Sequence, residues 1–120
     1  MAMHRRLEVS QTGDVTVVRF VDRKILDESY IQEVGQELFR LVEVDRCQNL
    51  LLNFCSVDFL SSTALGKLIT LDKKVKALGG RLMLSNIRPE IREVFMLTGL
   101  NRLFDIKEDV AEALSSFAVP

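Results

Sequence analysis

The sequence is short of the residues on which most small enzymes depend. Among 120 residues there is no tryptophan, one tyrosine and one histidine, His4, which stands near the N-terminus. A Ser-His-Asp or Cys-His arrangement therefore lacks its usual base. Neither GxxxxGK[ST] nor GxGxxG occurs, so no phosphate cradle is legible. The two cysteines, Cys47 and Cys55, flank a short apolar run and have no CxxC spacing. They read as small core residues in a reducing compartment rather than as a disulfide or metal pair. No other ligands stand at metal-binding spacing, so neither metal nor cofactor is expected. Neither sign of charge is in excess: 16 Lys and Arg face 17 Asp and Glu, for a net charge of -1. That balance argues against nucleic acid as a partner. The local cluster Lys67, Lys73, Lys74 and Lys76 is interrupted by Asp72 and reads as a solvated helix face. No apolar run approaches the ~18 residues of a membrane-spanning helix, and residues 1–6 lack the apolar core of a signal peptide. A cytoplasmic protein without membrane insertion is expected.

What is present is ordinary for a globular chain, with 48% hydrophobic and 28% charged residues. The length fits one domain over residues 1–120. Leu7 to Phe20 reads as a β-hairpin turning at Thr12-Gly13-Asp14. Asp22 to Asp27 is a polar connector. A helix follows, capped by Asp27 or Ser29, with Ser29 and Gln32 fitting a capping box. Ile31, Val34, Leu38 and Leu41 line its apolar face. Asn49 to Phe54 lacks alternation and suits a strand covered on both faces. A second helix carries Ala64, Leu68, Leu71, Val75 and Leu78 inward and stops at Gly79-Gly80. Arg81 to Ser85 is a strand. Pro89 opens a third helix with Ile91, Val94 and Phe95 inward and Gly99 as its stop. Leu103 to Ile106 is a last strand, and Val110 to Phe117 a final helix with Ala111, Leu114 and Phe117 apolar. The order β-β-α-β-α-β-α-β-α predicts an α/β fold with a small mixed sheet covered by helices.

Between the buried strand and the second helix stand three hydroxyls, Ser61-Ser62-Thr63. One would suffice: Ser61 or Ser62 can cap the helix, worth ~1 kcal/mol. The position also follows the carboxyl end of a central strand, where α/β sheets place functional groups. The exposed side of the helix start, with Thr63, Gly66, Lys67 and Thr70, is small enough for a partner to approach closely.

The stretch from Val57 to Ile106 resembles the STAS domain of bacterial anti-sigma factor antagonists. That family carries a motif of the type F-[ML]-D-S-[ST]-G-[LI]-G at a helix start, then a GG turn, a strand and a helix ending in T/S-G-L. The matching residues are Phe59-Leu60-Ser61-Ser62-Thr63-Ala64-Leu65-Gly66, Gly79-Gly80 and Thr98-Gly99-Leu100. Two positions depart from the pattern: Ser61 replaces the aspartate before the acceptor serine, and Ala64 the glycine two residues after it. The resemblance implies a non-enzymatic regulator that binds an anti-sigma factor of the serine/threonine kinase type. Phosphorylation on Ser62 would dissociate the complex, and a phosphatase would reset it. The implied partner surface comprises Asp22, Asp27, Ser61, Ser62, Thr63, Gly66, Lys67 and Thr70. The alternative within the resemblance is a STAS scaffold or transporter-associated subunit that uses the same surface without phosphorylation.

Overall fold

The computed structural model describes residues 7–119; His4 lies outside them. Strands β1 (Leu7–Thr12) and β2 (Val15–Phe20) form the hairpin, and Gly13 takes the positive φ of 62° that its turn requires. They are followed by β3 (Lys24–Ile25), α1 (Glu28–Glu43), β4 (Asn49–Asn53), β5 (Phe59–Leu60), α2 (Ser62–Ala77), β6 (Arg81–Ser85), α3 (Pro89–Leu97), a 3-10 turn (Leu100–Arg102), β7 (Asp105–Lys107) and α4 (Val110–Phe117). The main sheet runs β1-β2-β4-β6-β7, antiparallel only at the hairpin. A mixed sheet with helical cover is what the element order predicts. The two short strands β3 and β5 are an addition. They pair with each other as a separate parallel ribbon. Two-residue strands leave no periodicity to read in a sequence.

The central strand β4 explains the lack of alternation in its sequence. Leu50 and Leu52 join one core with α1, α2 and α3, while Leu51 joins a second with Val15, Met83 and Ala113 beneath α4. All three leucines are wholly buried. The larger core is closed by Phe20 against Phe54 and by Phe95 edge-on to Phe104. Arg81 anchors the far end of α4. Its guanidinium donates to the Ser116 and Val119 carbonyls at 3.1 and 2.8 Å and stacks on the Phe117 ring. A cation is favoured at a helix C-terminus, where carbonyls lie unpaired.

Several local expectations change in three dimensions. Asp27, not Ser29, caps α1: its carboxylate accepts from the Tyr30 N–H at 3.1 Å, and Ser29 lies exposed inside the first turn, so the Ser29–Gln32 capping box is not formed. The Asp22–Asp27 connector is not wholly polar, because Ile25 in β3 is buried. On α3 only Ile91 and Phe95 turn inward, and Val94 is exposed. On α4 it is Ala113 that is buried, with Leu114 and Phe117 half-buried and Ala111 exposed. The last strand begins at Asp105, after Leu103 has closed the 3-10 turn. Cys47 packs beside the core as expected, but Cys55 is exposed; both are free thiols. Gly79 has a φ of 74°, as a helix stop should, while Gly80 has a second reason to be glycine: a Cβ there would overlap the Gln48 carbonyl.

Candidate functional site

The ribbon of β3 and β5 builds the site. The Phe59 N–H donates to the Arg23 carbonyl at 3.2 Å and the Ser61 N–H to the Ile25 carbonyl at 3.1 Å. This pairing holds Ser61 extended, with ψ of 165°, as a cap residue must be. Its hydroxyl then accepts from the Ala64 N–H at 3.2 Å, and its carbonyl from the Leu65 N–H at 3.1 Å. The chain becomes helical at the next residue. Ser62 is therefore the first residue of α2, and the N–H groups of Ser62 and Thr63 point out of the helix end.

The three hydroxyl residues thus divide. Ser61 is half-buried and committed to the cap; Ser62 and Thr63 are exposed. The Ser62 hydroxyl has no partner among the described residues. No acidic residue occupies the first turn of α2. Asp27, at the start of α1, faces outward on the same side, because β3 and β5 run parallel and each leads into a helix. Its carboxylate is engaged by α1. Asp22, half-buried, lines an open concavity with Asp27, Tyr30, Lys24 and Phe59.

Farther along α2 the expected surface is more engaged than its spacing implies. Lys67 is half-buried. Its stem crosses α1 at Gly35, where an added Cβ would come within 3.2 Å of it, and its ammonium donates to Gln32 at 3.3 Å and lies over the Phe39 ring. The Lys74 ammonium also lies over the Phe39 ring, 5.1 Å from its centroid, and pairs with Glu43 at 2.8 Å. The Thr70 hydroxyl donates back to the Gly66 carbonyl at 3.2 Å. Gly66 is exposed, and nothing lies within 4 Å of a Cβ built there. The fold itself does not require a glycine at that position.

Sequence reasoning missed a cluster on the other side of β5. The Asp58 side chain is only 14% exposed and stands between two arginines: Arg23 donates to Oδ2 through Nε at 2.7 Å, and Arg88 forms an ion pair with Oδ1 at 2.7 Å without hydrogen-bond geometry. The Asp58 N–H also donates to the Arg23 carbonyl at 2.6 Å. One carboxylate so ties together the β2–β3, β4–β5 and β6–α3 connections. The three residues are far apart in the chain, and no local pattern announces them. Among the described residues, no group of His, Cys, Asp and Glu could hold a metal ion, and no helix is long and apolar enough to cross a membrane.

The chain is thus an α/β domain, a mixed sheet with three helices over one face and one over the other, and three hydroxyl residues stand where α2 begins. The family comparison makes the assignment: residues 6–113 match the STAS domain model, and the chain belongs to that family. It is 20% identical over 117 residues to the anti-sigma F factor antagonist of Paenibacillus polymyxa, an alignment covering 98% of each chain. Its fold is similar to that of an anti-sigma factor antagonist of Thermotoga maritima, with a TM-score of 0.83 at 20% identity over 94% of this chain and 95% of that one. It is similar also to the phosphorylated form of the Bacillus cell fate determinant SpoIIAA, with a TM-score of 0.71 at 20% identity over 92% and 98% of the two chains.

Proposed function

We propose that this protein is an anti-sigma factor antagonist that binds a kinase-type anti-sigma factor and is switched off by phosphorylation of Ser62. The observation that carries the reading is the uncommitted, exposed Ser62 hydroxyl, presented at the start of α2 while its neighbour Ser61 performs the capping. Thr63 is equally exposed; the choice of Ser62 rests on its place in the family motif. The partner surface would centre on Ser62, Thr63 and Gly66, flanked by Asp22 and Asp27, with Ser61, Lys67 and Thr70 acting as its internal supports. The reading takes residues 1–120 as one non-enzymatic domain working in the cytoplasm, reset by a phosphatase.

A phosphate on Ser62 adds about 1.5 to 2 negative charges. The free N–H groups and dipole at the start of α2 accommodate an anion, so the modified domain stays folded. The effect falls on the complex. A partner packed over Ser62 must desolvate the phosphate, at a cost of several kcal/mol unless it offers a paired cation. Affinity then drops by about two orders of magnitude or more. Pull-down from cells that make the protein, with intact-mass measurement, identifies the partner and the modification together. Ser62→Asp is expected to melt normally and bind that partner much more weakly, and Ser62→Ala to bind but resist modification. Tight binding by a normally folded Ser62→Asp chain rejects the switch. It would favour a scaffold that uses this face unmodified, a reading to which the neutral Ser61 beside the acceptor also lends weight.

A further inference from the structure

The edge of β5 away from β3 faces α3 across a groove of about 330 Å³. Leu60 and Ile91 form its floor. Phe59 and Val94 stand as its apolar walls, 52% and 41% exposed. Such surface is expensive to leave in water, and a contiguous apolar patch rimmed by polar groups marks an interaction site. Two features identify the occupant.

The first is main-chain polarity. In a parallel pair, alternate residues turn both N–H and C=O to the same neighbour. Phe59 and Ser61 donate to β3. Leu60 between them turns its N–H and C=O the other way, toward the groove. A free strand edge of this kind pairs with an extended segment, and pockets along it accept alternate side chains.

The second is charge. Arg23 and Arg88 line the groove and share Asp58, which is recessed beneath them. Their side chains are 75% and 47% exposed. Arg23 meets Asp58 through Nε and Nη2, and Arg88 lies beside it through Nε; among the described residues, Nη1 of the first and both terminal nitrogens of the second donate to no other group. Arg23 and Arg88 are balanced in sum by the recessed Asp58 and by Glu90 on the rim, so what this end of the groove offers an anion is not bulk charge but two exposed guanidinium forks, enough for one carboxylate and not for an acidic run.

We propose that this groove takes an extended segment of the partner protein. The segment pairs its main chain with Leu60, seats an apolar side chain between Phe59 and Val94, and brings one carboxylate to Arg23 and Arg88. The inference rests on the partner-binding reading above only in treating this side of the molecule as a protein-docking face; it needs no phosphorylation. It gives the partner a second foothold, distinct from the α2 helix start.

The test is selection of a library of random short peptides on the full chain, with affinities measured by fluorescence anisotropy. Selected peptides should converge on an aromatic residue or leucine close to an Asp or Glu. Binding should shift the Leu60 amide resonance. Val94→Glu and Arg23→Ala should each weaken binding by at least about tenfold. Leu97→Ser, at an exposed position on the same helix outside the groove, should leave it within about twofold. Melting curves check that the variants fold, and Val94→Ser stands in if the glutamate does not. Failure to select any peptide, a consensus without a carboxylate, an unmoved Leu60 amide, or indifference to the Val94 substitution each overturns the proposal. The same variants are measured against the partner recovered by pull-down, alongside Ser62→Asp. Loss with Ser62→Asp but not with Val94→Glu rejects the groove and keeps the switch; the reverse rejects the switch and keeps the groove.

Discussion

Ser61, Ser62 and Thr63 carry the same functional group in three different environments. The Ser61 hydroxyl satisfies a helix N–H that would otherwise lie unpaired. Ser61→Ala should lower the stability to urea by about 1 kcal/mol, whereas Ser62→Ala should change it by less than about half that. Equal losses would mean that the two serines share the cap. Spacing alone leaves Ser61 and Ser62 as rival caps, and Asp27 and Ser29 likewise. The β3–β5 pairing resolves both. It holds the chain extended up to Ser61 on one strand, and on the other it carries the chain to Asp27, which is extended with ψ of 131°. A cap is the last extended residue before the helix, so the tertiary pairing selects it.

At the scale of elements, α1 and α2 lie close together because Gly35 admits the stem of Lys67, and two lysine ammoniums of α2 lie over the Phe39 ring of α1. The contact absorbs Lys67 and Lys74, which the charge pattern assigns to solvent. Gly66 has the opposite character: it is a helical glycine in open space, and Gly66→Ala should raise stability by about 1 kcal/mol through helix propensity alone. If α2 meets a partner closely at that point, the same methyl should weaken the complex. Thermal melting and partner affinity that rise together would remove Gly66 from the interface. On α3, Ile91, Val94, Phe95 and Leu97 are too many apolar residues for one stripe on nine residues. The angle at which the helix docks buries Ile91 and Phe95 and leaves Val94 at the groove and Leu97 in solvent.

For the molecule as a whole, stability resides in the larger core, and Leu71 is wholly buried within it. Leu71→Ala should cost about 2–5 kcal/mol, read from the urea midpoint. A loss under about 0.5 kcal/mol, typical of a surface site, would contradict that packing. The cysteines report on the same architecture. The exposed Cys55 should react with a thiol reagent at once in the native protein, and Cys47, which accepts from the Thr16 hydroxyl at 3.3 Å, more slowly; in denaturant both should react without prior reduction. Fast reaction of Cys47 alone would reverse the assignment.

The sequence by itself determined the long elements. A 16-residue helix or a five-residue central strand repeats its burial pattern often enough for periodicity to show. It also carried the family motif, because Phe59 to Gly66 are contiguous in the chain. Only the tertiary structure decided the ribbon of β3 and β5, the choice of cap, the outward turn of Val94 and the clamp of Asp58 between Arg23 and Arg88. Each depends on groups distant in sequence, brought together when parallel strands end on the same side of a sheet. No local spacing encodes such a meeting, because the energy that selects it comes from long-range pairing and burial.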